Sequence, residues 1–130
     1  MIVIGYSADP FGRAALETGI AEAKLRATTL LVVNSTSGEA YVDPRFAQSG
    51  EVHDVERQLA ECGVEFELTQ PVGVDTATEL LKAMDRDDAD LLVIGIRHRS
   101  PVGKLLLGSV SQQVLLECPK PVLAVKPHDS

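Results

Sequence analysis

Four stretches of the chain are unbroken apolar runs of strand length: Ile2-Val3-Ile4, Leu30-Leu31-Val32-Val33, Leu91-Leu92-Val93-Ile94 and Val122-Leu123-Ala124-Val125. A strand that is apolar on both faces belongs between two helical layers, as in a parallel sheet. A fifth stretch, Glu65-Phe66-Glu67-Leu68-Thr69, alternates charged and apolar residues, the pattern of a strand with one wet face at a sheet edge. Helical periods fill the intervals. Asp9-Pro10 supplies an N-cap and a first-turn proline ahead of Leu16, Ile20, Ala23 and Ala27 on one face. Val52, Val55, Leu59 and Cys62 form a second stripe, which Gly63 stops. Thr76 and Glu79 read as a capping box before Leu80, Leu81 and Met84. Ser109 and Gln112 repeat that box before Val114 and Leu115, and Pro119 ends the helix. The order β-α-β-α-β-α-β-α-β with right-handed crossovers predicts a doubly wound α/β three-layer sandwich, one domain over residues 1–130.

Length and composition agree with one ordinary core: 130 residues, 45% apolar and 24% charged. Charge narrows the partners. Twelve Lys and Arg against 19 Asp and Glu give a net −7, which argues against nucleic acid and against anionic membranes. No apolar run approaches the roughly 20 residues of a membrane span. The start, MIVIGYSADP, lacks a charged leader before an apolar stretch, so a cytoplasmic location is expected. Cys62 and Cys118 belong to no CxxC pair, and His53, His98 and His128 do not complete a zinc set with them. Both cysteines are expected as small buried hydrophobes in a reducing compartment. The run Asp85, Asp87, Asp88, Asp90 lacks the glycine and terminal glutamate of a calcium loop and reads as a solvated turn.

Two segments depart from this regular plan. Thr36 to Ser49 is a long connection with Gly38, Pro44 and no clear period, leaving the carboxyl end of the second strand. It reads either as a binding loop or as a surface excursion. The other runs from Gly95 to Ser109, from the end of a buried strand to the start of a helix. Free N–H groups at Gly108, Ser109, Val110 and Ser111, with the helix dipole behind them, suit an anion. Gly95 and Gly108 lack a Cβ, which would let a ligand approach the main chain. From Leu91 to Leu116 there is no Asp or Glu, while Arg97, Arg99 and Lys104 contribute +3, so the rest of the chain sums to −10. A basic island on an acidic protein is what a phosphate site needs. The familiar alternatives fail on spacing. Gly103-Lys104 is followed by Leu105, so there is no Walker A loop, and neither GxGxxG, GxSxG nor HExxH occurs.

The spacing Gly95, His98, nine residues, Gly108-Ser109, with Pro121-Val122-Leu123-Ala124-Val125 near the end, resembles the universal stress protein family. The likeness extends over the whole chain in length and element order and is most specific from Leu91 to Lys126. It implies a five-stranded parallel sheet of order 3-2-1-4-5 that binds an adenine nucleotide, ATP or AMP, with Mg²⁺ as an optional companion. Under it Gly95, Gly108, Ser109, Val110 and Ser111 would line ribose and phosphates. Val33 would meet adenine through its backbone, Ile94 would pack nearby, and Tyr6, Ser7, Arg97 and His98 complete the candidate set. Two positions depart from the family pattern: His98 stands at the second glycine of the motif, and Ser7 where a carboxylate is usual. Asp9 is a substitute for that carboxylate or simply the helix cap. The implied role is a sensor or regulator in stress response, with an unidentified regulatory protein as partner. The rival reading is a dimeric interaction module that has lost nucleotide binding. No catalytic residue is assigned, and slow ATP hydrolysis is the most these residues would support.

In such a sheet the third and fifth strands form the edges. Glu65 and Glu67 protect one. The other, Val122, Leu123, Ala124 and Val125, carries no charge before Lys126. An apolar edge of this kind invites pairing with another chain, and a two-fold homodimer through the fifth strands is expected.

Overall fold

Each of the four apolar runs forms a strand parallel to its neighbours; the first three are buried between helices, and the fourth, at an edge, is half-buried. In the computed structural model, which describes residues 1–36, 44–96 and 107–127, the strands are β1 (Ile2–Gly5), β2 (Leu30–Val33), β3 (Phe66–Thr69), β4 (Leu91–Gly95) and β5 (Val122–Val125). The helices are α1 (Pro10–Arg26), α2 (Ser49–Cys62), α3 (Thr76–Met84) and α4 (Ser109–Glu117). The sheet order is β3-β2-β1-β4-β5, the order the family resemblance implies. Pairing keeps the apolar runs level, with Ile2 opposite Leu30 on one side and Leu91 on the other.

The period of two along each strand sorts side chains into two cores. Ile2, Ile4, Leu30, Val32, Leu91 and Val93 pack with Leu16 and Ile20 of α1 and Val55 and Leu59 of α2. Val3, Leu31, Val33, Leu92 and Ile94 pack on the other face with Leu80 and Met84 of α3 and Val114 of α4. Each fully buried Leu, Ile or Val contributes about 1.5–3 kcal/mol. β3 behaves as its alternation predicts: Phe66 and Leu68 join the first core, while Glu65 and Glu67 stay exposed.

Helix boundaries correct several sequence expectations by one residue. Asp75, not Thr76, caps α3, accepting from the Thr78 amide at 3.0 Å and its hydroxyl at 2.7 Å. Gly108, not Ser109, is the N-cap of α4. Cys118, just before Pro119, is extended (φ −72°, ψ 122°), because a residue preceding proline is disfavoured in helical geometry. Ala27 does not extend the buried stripe of α1. It closes that helix in the left-handed conformation (φ 54°, ψ 51°) and is exposed. Both cysteines are free and half-buried rather than fully buried.

Gly95 holds a different post from the one expected of it. A Cβ there would stand 2.0 Å from the Phe11 carbonyl oxygen. The missing side chain therefore lets the first turn of α1 cross the end of β4, and this contact brings the start of α1 to the carboxyl edge of the sheet.

Two stability measurements follow. Gly95→Ala must push backbone off backbone and should lose at least ~2 kcal/mol in chemical denaturation. Ala27→Gly removes the cost of a Cβ in left-handed geometry and should gain about 1 kcal/mol, read as a raised thermal midpoint.

Candidate functional site

The carboxyl ends of β1, β2 and β4 open onto a cleft of about 410 Å³, a size usual for small-molecule sites. β1 lies centrally between β2 and β4, where the chain's connections depart in opposite directions. Ligands of open α/β sheets bind at such a switch point. Tyr6, Ser7, Val33, Ile94, Gly95, Gly108, Ser109, Val110 and Ser111 all line this cleft. Residues far apart in sequence are thus brought to one place. Arg97 and His98 lie outside the described residues, as does the middle of the Thr36 to Ser49 connection.

Three helix starts reach the cleft, and they differ in what occupies them. At α1 the Asp9 carboxylate accepts from the Gly12 amide at 2.9 Å and the Ser7 hydroxyl at 2.7 Å. Asp9 is therefore the helix cap, and Ser7 supports it. At α3 Asp75 does the same work, and its bonds to the Thr78 hydroxyl and amide hold its carboxyl below the usual range. At α4 no side chain among the described residues caps the helix. A Cβ built on Gly108 meets nothing within 4 Å. The first amides of α4 have no intrahelical acceptor and carry the positive end of the dipole. Among the described lining residues Asp9 is the one carboxylate and Arg45 the one cationic side chain.

Tyr6 contributes main chain more than phenol. Its side chain is buried in the α1–α2 core, and its hydroxyl donates to Glu51 of α2, which Arg13 of α1 also approaches at 3.5 Å. Burial, and then the Glu51 carboxylate, push its pKa well above that of free tyrosine, so the phenol stays neutral. The Tyr6 amide donates to the Val33 carbonyl at 2.9 Å, leaving that carbonyl one lone pair for any other donor.

Beside Val33 sits a buried amide cluster. The Asn34 side chain, 1% exposed, donates to the carbonyls of Tyr6 at 2.9 Å and Arg45 at 3.1 Å. Its oxygen accepts from the Ala47 amide at 2.7 Å and from Gln70 at 3.0 Å. Ser35 donates to the Thr76 hydroxyl at 2.9 Å, joining the end of β2 to the start of α3.

Asn34, Ser35, Thr36, Arg45, Thr76, Phe11, Leu80 and Ile96 line the cleft without having been selected from sequence. The polar run Asn34-Ser35-Thr36 directly after an apolar strand was the available signal, since ligands gather at such strand ends. Arg45 and Phe11 carried none, because their places depend on tertiary packing.

Among the described residues no three His, Cys, Asp or Glu side chains gather to hold a metal. The acidic turn before β4 is tied to neighbours instead. Arg86 pairs with Asp88, and the terminal ammonium of Met1 pairs with Asp90 at 2.8 Å, each holding its carboxyl below the usual range. That turn lies at the amino end of β4, opposite the cleft. No helix among the described residues is long and apolar enough to cross a membrane.

Comparison with known proteins follows the same lines. Residues 1–126 match the model of the universal stress protein family. A universal stress protein of Mycolicibacterium smegmatis is 75% identical over 98% of both chains. The solved universal stress protein of Archaeoglobus fulgidus superimposes with a TM-score of 0.78 at 30% identity, covering 96% of this chain and 97% of that one. An Archaeoglobus fulgidus universal stress protein in complex with dAMP superimposes with a TM-score of 0.64 at 25% identity, covering 96% of each. On this shared sequence and fold, the chain belongs to the universal stress protein family.

Proposed function

We propose that residues 1–130 form an adenine-nucleotide-binding domain and that the protein acts in the cytoplasm as a nucleotide-responsive regulator in stress response. The observation that carries this reading is the start of α4, uncapped by any side chain among the described residues and opening onto the switch-point cleft, while the other two helix starts on that cleft are filled by Asp9 and Asp75. Phosphate oxygens would meet the amides of Ser109, Val110 and Ser111 and the hydroxyls of Ser109 and Ser111, with Gly108 allowing close approach. The base would lie toward Val33 and Ile94, with Gly95, Tyr6 and Ser7 bordering the ribose side. Arg97 and His98 are proposed as further phosphate contacts on their charge and position in sequence. The solved relative holding dAMP supports the ligand class.

The described cleft fits Mg²⁺ only in company. It offers a single carboxylate, Asp9, whose Oδ1 already accepts two bonds. Mg²⁺ is commonly held by one or two carboxylates plus substrate phosphates, so it would enter with a polyphosphate.

Thermal melting with AMP, ADP and ATP tests the reading. Saturation at a hundred times Kd should stabilise the native state by ~2.7 kcal/mol and raise the midpoint accordingly. Gly108→Leu, whose Cβ meets no described atom within 4 Å, should cost the ligand-free domain no more than about 1 kcal/mol as a poorer N-cap while removing the nucleotide-induced rise. If wild type shows no rise with any of the three, the interaction-module reading takes over.

The domain is further proposed to pair through β5 into a homodimer. β5 is an edge strand whose four residues are only half-buried within one chain, and Leu116 of the adjoining α4 is 77% exposed. Amide exchange at Val122 to Val125 should slow as protein concentration rises. Exchange that stays fast at high concentration would remove the dimer.

A further inference from the structure

We propose that Asn34 is the positioning residue of the cleft: without touching the ligand, it sets the distance between the two chain segments that border the binding site. The inference rests on the nucleotide-binding reading.

The geometry begins with an inventory. A carboxamide offers two donors and one oxygen with two lone pairs. In Asn34 all four are used within the protein, by Tyr6, Arg45, Ala47 and Gln70. Its orientation is dictated by those partners. Both groups facing the nitrogen are carbonyls, and both groups facing the oxygen are N–H donors, so the flipped amide would set like against like. Although Asn34 lines the cleft, its side chain has nothing left to offer a ligand.

What it joins is the point. Tyr6 leads directly into Ser7, Ala8 and Asp9, the turn that borders the cleft after β1. Arg45 and Ala47 belong to the returning limb of the long connection after β2. The Ala8 amide donates to the Arg45 carbonyl at 2.9 Å, so the two segments touch directly beside the amide that clamps them. Gln70, just beyond β3, donates to both the Asn34 oxygen and the Ala47 carbonyl at 2.9 Å. Segments following β1, β2 and β3 are therefore locked together at one buried amide. A displacement of the Ser7–Asp9 turn would also move the cap of α1. Misplacing binding groups by a fraction of an ångström is enough to lose affinity, because such sites must be held within about 0.5 Å.

The test separates positioning from plain stability. Affinity for AMP and ATP is measured by calorimetry in wild type, Asn34→Ser, Gln70→Ala and a remote core control, Ile20→Ala, whose buried side chain lies in the α1 layer. Conditions are chosen so that every variant is fully folded by circular dichroism. The expected result is at least a tenfold rise in Kd for Asn34→Ser and Gln70→Ala, with Ile20→Ala within twofold of wild type despite its lower midpoint. Amide exchange should quicken at Ala8 and Ala47 in the first two variants while β1 and β4 stay protected. If Asn34→Ser does not fold, Gln70→Ala decides alone, since from a half-buried site it removes one of the four bonds of Asn34 together with the parallel bond to the Ala47 carbonyl. Wild-type affinity in a folded Gln70→Ala or Asn34→Ser, or an equal loss in Ile20→Ala, overturns the inference. Failure of wild type itself to bind either nucleotide would instead fell the functional reading on which it stands.

Discussion

Parallel strands end in backbone that the sheet no longer pairs, and something must satisfy it before a cleft can exist there. In this protein the burden falls on the side chain of Asn34, which binds backbone carbonyls of two segments, a backbone amide and a second side chain. A buried polar group of this kind stabilises only when every member is satisfied. Here it is, and no buried side-chain nitrogen or oxygen among the described residues lacks a partner. Among the described residues, the segments following β1, β2 and β3 are therefore tied to one another through main-chain groups at the carboxyl edge. The neutral phenol of Tyr6 adds a second tie, from the end of β1 to Glu51 of α2.

Much of the fold was legible because its strongest signals are local. Leu30-Leu31-Val32-Val33 reads as a strand buried on both faces, and it is; Glu65 to Thr69 reads as an edge, and it is. One-residue errors arose where two adjacent residues could each do the job. Asp75 and Thr76 are both good caps, and the choice falls to Asp75 because its carboxylate also meets the Thr78 hydroxyl. Ser109 is a better cap than Gly108 by type, yet the helix begins at Ser109 and takes the glycine as its cap.

The site was legible only in part, for a related reason. Residues at strand ends and helix starts could be selected from pattern, and nine of them meet in one cleft. Their roles depend on contacts between distant segments. Gly95 was read as room for a ligand, but the atom that needs the room is the Phe11 carbonyl oxygen, on a helix 84 positions earlier. Asn34 stood in plain view after β2, yet nothing near it in sequence indicates that Arg45, Ala47 and Gln70 converge on it. Tyr6, selected as a nucleotide contact, does line the cleft, and its hydroxyl turns out to serve the packing of α2.

The unequal filling of the helix starts gives the hollow a sense of direction. Near α1 a fixed carboxylate already answers the dipole; near α4 no side chain among the described residues does so. To a guest with one anionic end the two extremities are therefore not equivalent: that end is repelled within a turn of Asp9 and welcomed within a turn of the start of α4.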